Sequence, residues 1–320
     1  MFKFIVRRLL ITIGVLFGVS LIIFSLVHMQ PGNPYSTMID PSVPKEVLEE
    51  MLMKVGYYDP IHVKYIKWIT RALKGDLGYS IYYGAPVLDV INSRMGNTIL
   101  LSSFALLVSM LIAVPSGVIS AAKKNSIFDY IVTIISLIGI SIPAFFFGLL
   151  LIKWLAFDIK IFPVSGMQTI GEHYTGLEKI IDIGKHIILP GMVLAFLQMA
   201  SFMRYTRASM LEVLNKDYMR TARGKGLTLS KSIWKHGFRN ALIPLITILC
   251  MQIPFLFSGA LLTETIFVWP GIGRLNYEAL LHRDYPLLMG LLMIIAVIIL
   301  LSNLLADILY AVVDPRITYK

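Results

Sequence analysis

Six stretches of this chain carry no Asp, Glu, Lys or Arg over lengths that cross a bilayer. They are Leu9–Val27, Asn97–Ala121, Tyr130–Ile152, Ile187–Met203, Ala241–Thr263 and Tyr285–Ala306. At about 1.5 Å of rise per residue, roughly 20 apolar residues span the ~30 Å hydrocarbon core. Lipid offers backbone N–H and C=O groups no partner, so each stretch must be helical. The chain is 57% hydrophobic and 15% charged, against roughly 25% charged in soluble domains, which excludes a soluble fold. The first stretch is longer than the apolar core of a signal peptide, and no small-residue cleavage motif follows it, so it reads as a span. The single cysteine, Cys250, lies in an apolar stretch, which excludes an internal disulfide and a cysteine-based metal site. The expected fold class is an all-α integral membrane protein with six transmembrane helices.

The formal net charge of +10 is unevenly placed. Lys3, Arg7 and Arg8 precede the first span, Lys123 and Lys124 sit between the second and third, nine basic residues separate the fourth and fifth, and Arg316 and Lys320 follow the sixth. That side holds 16 basic residues and five acids (Asp129, Glu212, Asp217, Asp307, Asp314), whereas the other holds 13 basic and 14 acidic. The two faces therefore carry +11 and −1, and an excess of Lys and Arg marks the cytosolic side. Both termini are expected in the cytosol, with the protein in the cell (inner/plasma) membrane and in contact with its lipid. The basicity reports topology and gives no ground for a nucleic-acid partner. The chain divides into a cytosolic N-terminus with the first span (1–28), an external loop domain (29–96), a membrane domain with spans two to six (97–313) and a cytosolic tail (314–320). A cytosolic loop, 204–244, interrupts the membrane domain.

The external domain opens with the turn cluster Pro31-Gly32-Asn33-Pro34. A short helix is expected from Ser42 or Pro44 through Lys54. A second, from about Pro60 to Lys74, places Ile61, Tyr65, Trp68, Ile69 and Leu73 at helical spacing. Gly75-Asp76-Leu77-Gly78 ends it, and Pro86–Arg94 reads as a third short helix. Such a domain can dock an external partner, cover a pathway mouth or serve as a packed cap.

Pro115, Pro143 and Pro254 bend spans two, three and five, because proline frees a carbonyl one turn back. Ionisable groups inside spans mark ion- or proton-coupled pathways. Here Lys153, Glu264 and Asp307 lie near span ends, where snorkelling or capping accounts for them, and no acid pair could relay protons. That counts against a stand-alone secondary transporter and puts the driving force outside the chain. Gln198, Gln252 and Ser258 are the candidates to line a pathway.

The 204–244 loop sets nine basic residues (Arg204, Arg207, Lys216, Arg220, Arg223, Lys225, Lys231, Lys235, Arg239) against Glu212 and Asp217. Span four should continue as a helix to about Leu214. Asn215 or Asp217 then caps a short helix, Tyr218–Arg223, and Gly224 and Gly226 stop it by supplying the left-handed C′ conformation. Thr228 or Ser230 caps a further helix with Trp234, Phe238, Ala241 and Leu245 on one face. A short helix tied at both sides to spanning helices transmits a push. Contact with anionic lipid is the alternative, but it does not require small residues (Thr221, Ala222, Gly224, Gly226) where a partner could approach closely. The residues expected to receive a partner are Asp217, Tyr218, Arg220, Thr221, Ala222, Arg223, Gly224, Lys225 and Gly226.

A second candidate site follows span five, where Glu264 leads to Trp269-Pro270-Gly271 and Arg274. A large aromatic beside Pro-Gly at a membrane exit suits an external gate or partner contact, and equally an interfacial Trp anchor. The chain contains no G-x-x-x-x-G-K-[ST] phosphate loop, H-E-x-x-H or G-x-S-x-G, and its six histidines are scattered, with His28, His62, His173 and His282 on the outer side. No catalytic residues, metal site or bound cofactor are expected, so the chain reads as not an enzyme.

RTARGKG (220–226) followed by HGFRNALIP (236–244) resembles the EAA loop of ABC-importer permeases, in the form used by the dipeptide/oligopeptide/nickel branch. Ala222, Gly226 and Leu242-Ile243-Pro244 match its fixed points, while Arg220-Thr221 stands where the generic motif has Glu-Ala. RRLLITIGVLFGVSLIIF with PGNP, KGDLGYS with PVLDVI, ISIPAFFFGLLL, and ETIFVWPGIGRL with RDYPLL are similar to that branch across nearly the whole chain, and to the first of its two permease subunits most of all. The resemblance implies half of a translocation pathway for di- or oligopeptides, with the short helix at 217–226 as coupling helix. It implies as partners a second homologous permease, two ATP-binding subunits that carry ATP and Mg, and an extracytoplasmic substrate-binding protein. Nickel or another small solute is the alternative cargo.

Overall fold

The computed structural model describes residues 2–29, 47, 49–50, 53 and 56–313. The Pro31–Pro34 turn, nearly all of the helix expected up to Lys54, and the 314–320 tail lie outside the described residues. In chain order the elements are α1 (Phe2–His28), α2 (Ile61–Ala72), the two-residue strands β1 (Tyr79–Ser80) and β2 (Ala85–Pro86), α3 (Val87–Ala122), α4 (Ile127–Ser141), α5 (Ala144–Leu151), α6 (Gly176–Leu214), α7 (Asp217–Gly224), α8 (Arg239–Ser258), α9 (Leu261–Ile266), α10 (Ile272–Leu281) and α11 (Tyr285–Val313). Ile152–Asp158 and Ser232–Phe238 are π-helical. Among the described residues five helices are long and apolar enough to cross a membrane, or six if the bent pair Ile127–Ser141 and Ala144–Asp158 counts as one span.

Three expectations change here. The short helix placed at Pro86–Arg94 is not separate: Gly96 is carried inside the helix without a break, and both join in α3, which is 36 residues long. Pro115 does not interrupt that helix, whereas Pro143 breaks span three outright. Ile142, preceding the proline, is driven to an extended ψ of 125°, and Pro143 becomes the N-cap of α5, at a bend of 105° between the two halves. On α2 the half-buried residues include Tyr65, Trp68 and Ile69, but Ile61 and Leu73 are exposed.

The chain forms two compact units. The first comprises residues 1–96 and 275–301. In it α2 lies on α1 through aromatic contacts: Phe24 meets Tyr65 at 5.3 Å and Trp68 at 5.7 Å between ring centres, and Ser20 shares a 2.8 Å hydrogen bond with the Tyr65 hydroxyl. The β1–β2 hairpin is fastened to the α10–α11 junction. Asp284 is fully buried and caps α11 by accepting from Leu287 N–H at 3.1 Å, while the Tyr82 amide and the Ser80 hydroxyl also donate to it. Tyr82 stacks on His282 at 3.7 Å, and the Tyr83 hydroxyl donates to Glu278. The GDLGYS and RDYPLL motifs, more than 200 residues apart, are thus two halves of one joint.

The second unit comprises 97–274 and 302–320. Helices in lipid gain little from hydrophobic attraction to one another and pack best where small residues let backbones approach. That is the pattern around α6. A Cβ on Gly117 of α3 would lie 2.7 Å from Thr206 Cβ and 2.9 Å from the Met203 carbonyl. One on Gly139 of α4 would lie 3.0 Å from Ala200 Cβ. One on Gly191 of α6 would strike the Phe104 ring at 2.4 Å. Ala113, Val132, Phe202 and Met203 form a buried cluster between these crossings. The segment after the π-helical turn at 152–158 returns to α6 through Thr169, whose amide and hydroxyl donate to Asp182 at 2.8 and 2.7 Å.

Gly117→Val is expected to push α3 off α6 and cost about 1–3 kcal/mol, as overpacking does. Gly14→Val, with open space around it, should be neutral. Thermal unfolding of the two detergent-solubilised variants checks this, and equal stability would contradict the close crossing.

Candidate functional site

The 204–244 loop grows out of two spanning helices. α6 runs for 39 residues, carrying Pro190 inside it; it ends at Leu214 as expected but begins at Gly176, ahead of the expected start at Ile187. The turn Asn215–Lys216 follows, and then α7. Neither Asn215 nor Asp217 caps α7: Asn215 is the C-cap of α6, its side-chain amide donating to the Leu211 carbonyl, and Lys216, whose ammonium pairs with Glu212 at 3.1 Å, holds the N-cap place without a side-chain capping bond. The end of α7 matches expectation more closely. Gly226 has φ +81°, its N–H reaches the Arg223 carbonyl at 3.0 Å, and Leu227 N–H reaches that of Ala222 at 3.4 Å. That pair of bonds is a Schellman C-cap, which puts Gly226 at C′. Gly224 is the last helical residue. Thr228, not Ser230, caps the next turn through Lys231 N–H.

The following helix turns by π geometry between Ser232 and Phe238, which shifts its buried face. At roughly 4.4 residues per turn, positions four apart share a face. Ile233, Gly237, Ala241 and Leu245 are accordingly buried, and Trp234, expected there, is 43% exposed with Phe238 packed edge-on at 5.5 Å. Ile233 and Ala241 close a core with Met210 of α6 and with Val118 and Ala121 of α3.

α7 seats on that core by two residues, Met219 and Ala222, both buried. A Cβ on Gly237 would meet Met219 Cε at 3.5 Å and Met210 Cε at 3.4 Å, so the methionine lies against the π-helical turn. Every other residue from Asp217 to Gly226 is exposed. Asp217, Tyr218, Arg220, Thr221, Arg223, Gly224, Lys225 and Gly226 therefore form one open surface, while Ala222 faces inward. Its small size serves the fit of α7 to its own protein, a correction to its reading as a place for a partner's close approach. The open surface is loosely ordered by charge: Arg220 and Asp217 are 4.0 Å apart, both almost fully solvated. The Tyr218 hydroxyl has its pKa raised, chiefly by burial.

At the far end of α8, beyond Gly259 (φ +80°), lies the second candidate. It is a closed knot. Glu264 is fully buried, its Oε1 accepting from the Thr98 hydroxyl at 2.9 Å and from Ala260 N–H at 3.3 Å, its Oε2 from Arg274 N–H at 3.0 Å. Thr98 Oγ1 in turn accepts from Ile272 N–H at 2.7 Å. A Cβ on Gly271 would sit 2.4 Å from Glu264 Oε2, and one on Gly259 2.4 Å from Gly273 N, so both positions must be glycine. Trp269 is fully buried; its indole N–H donates to the Asn97 carbonyl at 3.0 Å, and Asn97 Nδ2 donates to that of Pro270 at 2.8 Å. Glu264 is thus neither a snorkelling side chain nor a simple cap, and Trp269 is neither an interfacial anchor nor a surface for a partner. Pro270 and Arg274 are partly exposed, and Val268 is exposed at φ +54°.

Of the pathway candidates, Gln198 receives a long hydrogen bond from the Ser109 hydroxyl, 3.4 Å, between α6 and α3. Gln252 and Ser258 are half-buried on α8. Lys153 pairs with Asp158 at 2.9 Å on the surface, as a span-end residue can. A strong contact that sequence reasoning missed joins Asp129 and Arg207: Nε to Oδ1 at 2.6 Å and Nη2 to Oδ2 at 2.9 Å. Asp129 had figured only as a charge in the topology count. No group of His, Cys, Asp or Glu able to hold a metal ion occurs among the described residues.

Comparison with known proteins agrees with this architecture. The family model described as "Binding-protein-dependent transport system inner membrane component" matches residues 113–319, and its companion for the N-terminal part matches 1–102. The chain belongs to this family of membrane components of binding-protein-dependent transport systems, and it is a multi-pass membrane protein. The oligopeptide transport system permease protein AppB of Bacillus subtilis is 42% identical over 320 residues, covering 100% of both chains. The dipeptide transport system permease protein DppB of Escherichia coli K12 is 38% identical over 338 residues, again covering both chains fully. A chain of the MetNI methionine ABC transporter, solved in inward-facing conformations, shares the fold with a TM-score of 0.56 at 14% identity, over 71% of this chain and 97% of that one.

Glu264→Ala would strand three donors in a dry site, at about 1–3 kcal/mol for each unsatisfied group. A marked loss of folded protein in the membrane is expected, with Glu264→Gln intermediate, as read by fluorescence-detected gel filtration of solubilised protein. An unchanged Glu264→Ala profile would mean that the carboxylate does not hold the knot.

Proposed function

We propose that this chain is the transmembrane permease subunit of an ATP-driven importer of di- or oligopeptides, forming half of the translocation pathway. Full-length similarity to peptide permeases supports the cargo. The observation that carries the mechanism is α7: a short helix with a buried inner edge, an open outer surface, and spanning helices on both sides. In this reading the partners are a second homologous permease, two ATP-binding subunits seated on α7, and an extracytoplasmic substrate-binding protein. ATP and Mg belong to the ATP-binding subunits, so the present chain is not itself an enzyme. Both termini and α7 face the cytosol, consistent with the placement of Lys and Arg. Nickel or another small solute would use the same architecture.

When the ATP-binding subunits close, they displace α7. Met219 and Ala222 pass the force into the core with Met210, Ile233 and Ala241, and so into α6 and α8. Converting a 1:99 mixture of inward- and outward-open states to 99:1 takes about 5.5 kcal/mol of differential binding, and a helix free to slide on its seat would dissipate it.

Gly226→Pro, which destroys the left-handed C-cap, and Ala222→Asp, which places a charge under α7, are expected to abolish peptide uptake while leaving membrane insertion intact. Gly226→Asn, able to adopt positive φ, should retain much of it. Uptake of labelled peptide by proteoliposomes holding the complete complex checks this; parental rates in the first two variants would remove α7 from the coupling route.

A further inference from the structure

Asp129 lies in the first turn of α4 and Arg207 on the part of α6 that leads to α7. Their contact is bidentate, and the carboxylate is buried, with its side chain 4% exposed. The same carboxylate accepts from the Ser120 hydroxyl of α3 and, at 2.9 Å, from the Asn125 amide. Asn125 has φ +64°, so the tight turn between α3 and α4 is itself wound around this group. One carboxylate therefore ties three helices and a turn. The neighbouring contacts are equally close: Gly117 of α3 against Thr206, and deeper in the unit, Gly139 of α4 against Ala200 and the Ser136 hydroxyl against Met203 Sδ at 3.5 Å.

We propose that Asp129 and Arg207 are positioning residues for coupling: a charge lock that makes α3, α4 and α6 move as one body when α7 is displaced. The proposal rests on the reading of α7 given above. Arg207 stands seven residues before the end of α6, about 10 Å along the helix axis. A displacement delivered at α7 reaches the lock before it reaches the crossings deeper in the unit. Through Asp129 it is handed to α4, the first half of the span that breaks at Pro143. Without the lock α6 could rotate or slide against α4 on its small-residue surface, and the motion would be spent there.

A purely stabilising role and a coupling role predict different things. A buried ion pair contributes little net stability over an apolar pair of similar size, whereas losing one partner strands a charge. Asp129→Asn combined with Arg207→Gln, which strands no charge and keeps an oxygen to accept from Ser120 and Asn125, should therefore assemble into the complex close to parental levels. Arg207→Lys, which keeps the charge but loses the bidentate geometry, should assemble as well. The experiment measures peptide imported and ATP hydrolysed by the same proteoliposomes containing the complete complex. The expected result is ATPase activity within about twofold of the parent with peptide moved per ATP reduced about fivefold or more in the double variant, and less in Arg207→Lys; fivefold is the lower end of measured allosteric couplings. An unchanged ratio in either assembled variant overturns the proposal. If the double variant does not assemble, the ratio in Arg207→Lys decides. If the parental complex moves no peptide on ATP, it is the reading of the function that fails, and the lock is then scored by whichever cargo the parent carries.

Discussion

A helix that stops inside a membrane exposes donors and acceptors that lipid cannot satisfy, and the break after α8 is organised by that constraint. It occurs where the protein supplies its own partners. At Gly259–Ala260 the interrupted helix is rejoined by Glu264, whose two oxygens take backbone and hydroxyl donors from Ala260, Arg274 and Thr98. The neighbouring chain segments close to backbone contact through Gly259, Gly271 and Gly273. At the turn between α3 and α4 the partner is Asp129. The two most deeply buried carboxylates described in the second unit, Glu264 and Asp129, are thus structural acceptors at chain reversals. In the first unit Asp284 has the same task, accepting from the hairpin and capping α11 together.

The same constraint separates what the sequence makes legible from what it conceals. Apolar runs without charge reveal the five helices long enough to cross and the bent pair between them, because hydrophobic length is a local property. Gly226 reveals the end of α7, because a left-handed residue leaves a local signature. The break at Pro143 is equally local, although its size, 105°, is not. Long-range partners are hidden. Asp129 and Arg207 are 78 positions apart, Thr98 and Glu264 166 apart, Ser80 and Asp284 204 apart, and nothing near any of these residues names its mate. Trp269 shows the error that follows. Aromatic, beside Pro-Gly and near a span end, it carries every local mark of an interfacial anchor, yet Asn97 draws it inside.

The inner face of α7 illustrates a subtler failure. Small residues in a basic loop suggest room for a visitor, and Thr221, Gly224 and Gly226 are indeed exposed. Ala222 lies among them in sequence but one quarter-turn away on the helix, and it is buried. The 3.6-residue period separates it from its neighbours once the helix ends are known, and while Gly226 marks one end as expected, the other depends on Lys216 rather than on Asn215 or Asp217. The π-helical turn at 232–238 hides its face for a related reason: a period of roughly 4.4 is invisible to a pattern read at 3.6.

The π-helical turn distinguishes the two routes out of α7. Toward the N-terminus the link is α6, continuous for 39 residues and clamped by Arg207 and by crossings at glycine and alanine. The part of α6 between Pro190 and Leu214, so fixed, passes on displacement as rotation of a body. Toward the C-terminus the link runs through the π-helical segment before α8. There an extra residue per turn weakens the regular ladder, and Ile233 and Gly237 keep the buried face in phase with Ala241. A segment of that kind yields more readily in register than an α-helix does. On the proposed reading, a pull on α7 moves α3, α4 and α6 together while α8 adjusts against them. Two helices of the same membrane unit thereby shift relative to each other, which is what opening a pathway on one side requires.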